Sequence, residues 1–374
     1  MPNETMPSTA TRRAFLKGAG LAVAPMLLLS SCAPAQQQPQ QSQESSGQPK
    51  TTSEGVNTPV TVSYEGKRAD AGYFLAEGDT VAVITPSALP SQEQVDATVK
   101  GLKSWGYVPV QGKHVVQESR TLADCVEDLT WALDDSSVKA IFCVRGGYGA
   151  SEVLDDVSLD LIARARKPVI GYSDITVLHA AWTNVGLQSV HASMSAAFDD
   201  GFPKECFEAE QRMLRGEVPA YACEGSKFDK EGAGDGVLIG GNLSTFTSVL
   251  GTAYDSTRID KPYILFFEDV GEDVQHVHRY LAVLKHLGVF DRASGVVFGE
   301  WTDVPVDMDD YDGSSRGGTF ASMADMISRR YLPDLNVPVA FGFPAGHGDA
   351  NYPLLMGAEA HLNVANGSFT LGWL

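Results

Sequence analysis

Basic side chains are scarce in this 374-residue chain: 28 Lys and Arg stand against 47 Asp and Glu, a formal charge of −19. Such a surface repels phosphate backbones and weighs against nucleic acid as a partner. Cysteine is sparse too, with five residues and no Cys-x-x-Cys or Cys/His ligand spacing, so the sequence offers no metal site. No phosphate-binding GxGxxG or GxxxxGK[ST] pattern occurs. The apolar run near the N-terminus, residues 18–30, has 13 residues with Pro25 inside it, too short for a good membrane span. Apolar side chains still make up 43% of the chain, which excludes wholesale disorder.

What is present begins with an address. Residues 11–17 (TRRAFLK) resemble a twin-arginine export signal, and the apolar run after them has the length of a signal-peptide h-region. Leu29-Ser30-Ser31-Cys32 follows and resembles a bacterial lipobox. An ordinary N-terminal helix is the alternative, outweighed by three features standing in the right order. Residues 1–31 are therefore expected to be a signal peptide. Cys32 would become the lipidated first residue of an exported lipoprotein, anchored on the extracytoplasmic side. Residues 33–57 hold almost no apolar side chain and cannot offset chain entropy, so they are expected to be a disordered tether. About 25 such residues reach roughly 25–30 Å. The tether is drawn as 32–74, with packing of 58–74 on the domain left open.

From residue 79 the pattern alternates buried strand and helix. Strands are expected at 80–85, 107–110, 138–144 and 167–171, with helices at 92–105, 122–133, 150–165 and 175–184 between and after them. This rhythm predicts an α/β domain over 75–200 with an open, mostly parallel sheet. Residues 201–235 are polar and read as an interdomain linker holding one amphipathic helix. Residues 236–374 are rich in glycine and strand, with helices expected at 242–250, 274–287 and 319–331, and read as a second, α+β or barrel-like domain. Cys125 and Cys143 fall in core patterns, while Cys206 and Cys223 leave a disulfide open.

Three residues could carry acyl-transfer chemistry. Ser173 stands at a sharp strand-to-helix turn, where a hydroxyl is exposed and the next N–H is free for an anion. Its turn has Gly171 before it but Ile175 where a GxSxG elbow has its second glycine; a helix cap is the plainer role. His347 lies in a glycine-flanked loop, PAGHGD, after the apolar strand 339–343. Glu268 ends the buried run YILFF, a costly place for a carboxylate unless it is paired. It could hold the tautomer of a histidine. Arg145-Gly146-Gly147-Tyr148-Gly149 leaves the neighbouring strand, and an N–H from it, paired with that of Asp174, would make an oxyanion hole.

RGGYG, GYSDIT, GGNLS (240–244), LFFED and the Gly-His pair at 346–347 stand in the order seen in LD-carboxypeptidases. The chain resembles this family over roughly residues 75–374. The resemblance implies a Rossmann-like N-terminal domain carrying the nucleophile Ser173, and a smaller C-terminal domain supplying Glu268 as orienting acid and His347 as base. It also implies an oxyanion hole from the N–H groups of Asp174 and Gly147, no metal or cofactor, and a murein tetrapeptide losing its terminal D-Ala. Arg145 is a candidate for the substrate carboxylate, and a homodimer is left open. VHASM at 190–194 departs from the family's His-Gly-Pro-Met segment, and 303–318 is an acidic insert. Two alternatives stay open: a peptidase of the related microcin-immunity type acting on another amidated acceptor, and a solute-binding lipoprotein.

Overall fold

Val60, Val62 and Tyr64 alternate with Thr61 and Ser63, the period-2 pattern of a half-buried strand. Accordingly Val60–Lys67 forms strand β1, although it lies in the stretch expected to be tether. The structure is a computed structural model describing residues 60–67, 74–198, 202–304 and 320–374. The expected signal peptide, Cys32, the tether before residue 60 and nearly all of the insert 303–318 lie outside the described residues.

The βα rhythm follows: β2 (Thr80–Ile84), α1 (Gln92–Ser104), β3 (Val108–Gln111), α2 (Leu122–Asp134) and β4 (Val138–Cys143). Reciprocal capping boxes, Ser91 with Gln94 and Thr121 with Asp124, start α1 and α2. The helix expected at 150–165 is two, α3 (Ala150–Asp155) and α4 (Leu159–Ala165). Then come β5 (Val169–Gly171), α5 (Thr176–Asn184) and β6 (Ser189–His191). Helix α5 is buried around its whole circumference, from Thr176 through Thr183. It packs against β6 on one side and against later elements on the other.

The expected linker 201–235 is largely structured. It holds α6 (Lys204–Leu214), β7 (Glu217–Glu224) and the start of β8 (Gly232–Asn242). In β7, Tyr221 and Cys223 point into the core while Ala222 and Glu224 point out, a period-2 signal short enough to be hidden among polar neighbours. The remaining elements are α7 (Leu243–Ser248), β9 (Tyr263–Val270), α8 (Val274–His286), β10 (Ala293–Thr302), α9 (Met323–Arg330), β11 (Val339–Phe341), β12 (Leu354–Met356), β13 (Glu359–Ala365) and β14 (Ser368–Trp373).

Two sheets result. One has the order β12-β6-β5-β4-β2-β3, parallel except for β12, which the C-terminal region contributes antiparallel to β6. The other runs β1-β7-β14-β13-β8-β9-β10-β11, antiparallel as far as β8 and parallel from β8 to β11. All described residues belong to one compact unit. Cys125, Cys143, Cys206 and Cys223 are buried free thiols, so Cys206 and Cys223 are not bridged.

Candidate active site

The residues singled out from the sequence converge at the C-terminal ends of parallel strands. RGGYG follows β4, Ser173 follows β5, Glu268 lies in the last part of β9, and His347 follows β11. In open α/β sheets this edge is where ligand sites form.

Ser173 has φ of 65°, a left-handed conformation that costs a residue with a Cβ about 1–2 kcal/mol. The turn is fixed from behind. His179 of α5 sets its Nε2 2.9 Å from the carbonyl of Gly171 and its Nδ1 2.8 Å from Ser189 Oγ. A carbonyl only accepts, so Nε2 carries the proton and Nδ1 accepts from the hydroxyl. Burial pushes this histidine down to about 4, which keeps it neutral. A side chain at position 171 would crowd Ile175 and Cys143, at 3.0 and 3.3 Å, which explains the glycine before the turn.

Glu268 is fully buried, and its Oε2 accepts from His347 Nδ1 at 2.7 Å. That bond holds the tautomer in which Nε2 can take a proton. Burial pulls His347 down, but the charge and hydrogen bond of Glu268, with Asp269 and Glu300 beyond, outweigh it and leave the imidazole above its ordinary range. Tyr172, the residue before Ser173, packs its ring on the His347 imidazole with centroids 4.8 Å apart. The serine turn and the histidine loop therefore meet directly. Gly346 must lack a side chain, since a Cβ there would lie 2.8 Å from Glu268 Oε2, at φ of 136°.

The carboxylate of Asp174 braces the Ser173 turn. Its Oδ2 accepts from Ser87 Oγ at 2.7 Å and from the Ala150 N–H at 2.9 Å, tying the turn after β2 and the start of α3 to the Ser173 turn. Gly146 lies against the serine: a Cβ there would be 2.8 Å from Ser173 Cβ and 3.3 Å from the Asp174 nitrogen. Gly147, at φ of 122°, passes close to Ala88. Arg145 donates to the carbonyls of Gly146 and Leu89, each at 3.2 Å, so two of its five donors brace these loops.

The GGNLS segment links the two sheets. The Asn242 N–H donates to Thr176 Oγ1 at 3.0 Å, and its side chain donates to Asp269 Oδ1 at 2.8 Å. Thr176 begins the helix after Ser173, and Asp269 follows Glu268, so one asparagine spans both halves of the site.

Residues 81–192 match the LD-carboxypeptidase N-terminal domain, and residues 235–362 match the LD-carboxypeptidase C-terminal domain. The murein tetrapeptide carboxypeptidase of Pseudomonas aeruginosa is 30% identical over 288 residues, 72% of this chain and 89% of that protein. The chain belongs to the LD-carboxypeptidase family. A protein of Bacillus subtilis named probable murein peptide carboxypeptidase is 30% identical over 302 residues, covering 78% of this chain and 91% of its own length. The crystal structure of muramoyltetrapeptide carboxypeptidase from Oxalobacter formigenes superposes with a TM-score of 0.68 at 26% identity, covering 78% of this chain and 97% of that one. The chain is accordingly a carboxypeptidase of this serine peptidase family, with the family's α/β architecture.

This family member carries buried acids that sequence reading missed. Burial, with the neighbouring Glu268 charge, pushes Asp269 up to about 7. Burial does the same to Glu300, assisted by Asp349. Asn351, also buried, accepts the Gly346 N–H on Oδ1 at 3.1 Å and so steadies the histidine loop. Glu300 was legible: GVVFGE (295–300) is an apolar run ending in a carboxylate, the same signal that marked Glu268. Among the described residues, the one His/Asp/Glu cluster of metal-ligand geometry is His114, Asp124 and Glu127, on α2 and the connection before it. The His114 nitrogens are already bonded to Gln117 and Glu127.

Proposed function

We propose that the chain is an LD-carboxypeptidase that removes terminal D-Ala from murein tetrapeptides by a Ser173–His347–Glu268 acyl-enzyme route. It would act on the extracytoplasmic side, held to the membrane by lipid on Cys32. The observation that carries the reading is the Ser173 turn: a non-glycine residue at φ of 65°, whose neighbour packs on a histidine oriented by a buried carboxylate. A structure that stores such strain needs a reason for it, and presenting a hydroxyl is one.

In this mechanism His347 Nε2 takes the Ser173 proton as Oγ attacks the carbonyl of the residue before D-Ala. The N–H groups of Asp174 and Gly147 receive the oxyanion. The C–N bond then breaks, and His347 returns the proton to the leaving amine. Water, deprotonated by the same imidazole, releases the tripeptide and regenerates Ser173. Arg145 would hold the substrate carboxylate with donors not spent on the loop carbonyls.

The test incubates wild type and Ser173→Ala with free and disaccharide-linked tetrapeptide and follows products by mass spectrometry. Tripeptide and D-Ala from wild type alone supports the reading. Saturable binding by both proteins without cleavage would replace it with a binding lipoprotein. Cleavage of another amidated acceptor in preference would reassign the substrate.

A further inference from the structure

Between β9 and β10 the register runs Phe298 to Phe267 and then Trp301 to Asp269. Two residues of β10, Gly299 and Glu300, thus stand where β9 has only Glu268, which is a β-bulge beside the site. Bulges re-aim side chains, and this one faces the histidine loop. Position 299 must be glycine, because a Cβ there would lie 2.5 Å from the Ala345 carbonyl. At 300 the backbone N–H donates to that same carbonyl at 3.2 Å. The Glu300 carboxylate lies directly against Gly348, where an added Cβ would overlap its Oε2 outright, at 1.8 Å. One residue therefore holds the loop just before and just after His347. The Glu300 side chain is buried, and Oε2 has no partner among the described residues.

We propose that Glu300 is a positioning residue for His347: its bulge grips the 345–348 loop at both ends, and its carboxylate charge sets how readily the imidazole takes a proton. This rests on His347 being the base of the proposed reaction. The groups facing Glu300 are His347 and Asp349 from the loop and Glu268 from β9. Those facing His347 are Glu268 and Asp269 from β9, Glu300 from β10 and the buried, neutral His191 from β6. Of the acids beyond the bonded Glu268, Glu300 alone also touches the loop backbone. A buried carboxylate pushed up to about 7 changes charge in the pH range where the imidazole works.

Glu300→Gln keeps volume and the contact with Gly348 but has no charge, whereas Glu300→Ala removes all three. The His347 titration is followed by NMR in the protein carrying labelled histidine, with its signal identified from a His347→Gln spectrum. Glu300→Gln is expected to lower the His347 pKa by about half a unit or more and to move the acid limb of kcat/KM down with it. KM should stay within about twofold. Glu300→Ala should add a kcat loss of about 10–100-fold as the loop shifts. An unchanged His347 titration in folded Glu300→Gln overturns the inference, as does unchanged kcat in Glu300→Ala. Because the NMR titration needs no turnover, failure to cleave any murein peptide would count against the proposed function alone. If Glu300→Ala does not fold, Glu300→Gln decides.

Discussion

A single methyl group added at Gly146 tests where the chemistry happens. In Gly146→Ala the new carbon would lie 2.8 Å from Ser173 Cβ and 3.0 Å from its Oγ, against an optimum of about 3.5–4.0 Å between carbons. Something must yield by roughly 1 Å. Ser173 cannot do so cheaply, because it already occupies a left-handed conformation with its strand and helix held on either side. The RGGYG loop is held by Arg145 and by the Asp174 carboxylate. Overpacking of this kind costs about 1–3 kcal/mol of stability, a few degrees in Tm for a domain of this size. A displacement near 1 Å between nucleophile and oxyanion donors costs much more in rate, about 10²–10³-fold in kcat. The assay is initial-rate release of the terminal D-amino acid, with circular dichroism and Tm measured alongside. A variant that folds and keeps kcat within threefold of wild type would refute the placement of the reacting atoms between these loops.

Two further perturbations probe the buried acids. Glu268→Gln removes the charge behind His347, so kcat should fall by roughly 10³–10⁴-fold. His347 sits above its ordinary range chiefly because of Glu268, and a base must be neutral to act; the residual activity should therefore extend to lower pH. An acid limb that stays in place would show that another group sets it. Glu210 on α6 is buried with both oxygens unpartnered among the described residues, and burial raises its pKa well above the ordinary value. Its folded pKa exceeds the unfolded one, so its contribution is complete below about pH 4 and lost as pH rises through the folded value. The Tm advantage of Glu210→Gln over wild type should thus grow between pH 5 and pH 8, by about 2 °C or more. Equal Tm differences at the two pH values would contradict this.

The parallel half of the fold could be read because its inner strands are buried on both faces and followed by a helix close in sequence. Val81, Val83 and Phe142, fully buried, announce themselves as apolar runs. Strands β1, β7 and β12 could not be read that way. Val60 pairs with Cys223 and Leu354 with His191, partners set far along the chain, and β12 has only three residues between Pro353 and Gly357. At the site, Ser173, Glu268 and His347 were visible because each ends an apolar strand. The carboxylate of Asp174, the Asn242 bridge and the Glu300 bulge were not, since their partners lie far along the chain and only folding brings them near.

One consequence of β12 concerns the order of synthesis. The β6 edge of the six-stranded sheet is covered by residues 354–356, so it stays bare until these residues have left the ribosome. An uncovered edge invites pairing with other chains, which makes the nascent N-terminal half a natural client for a chaperone. A product ending before residue 345 would carry the strained Ser173 turn without the histidine loop on which Tyr172 packs.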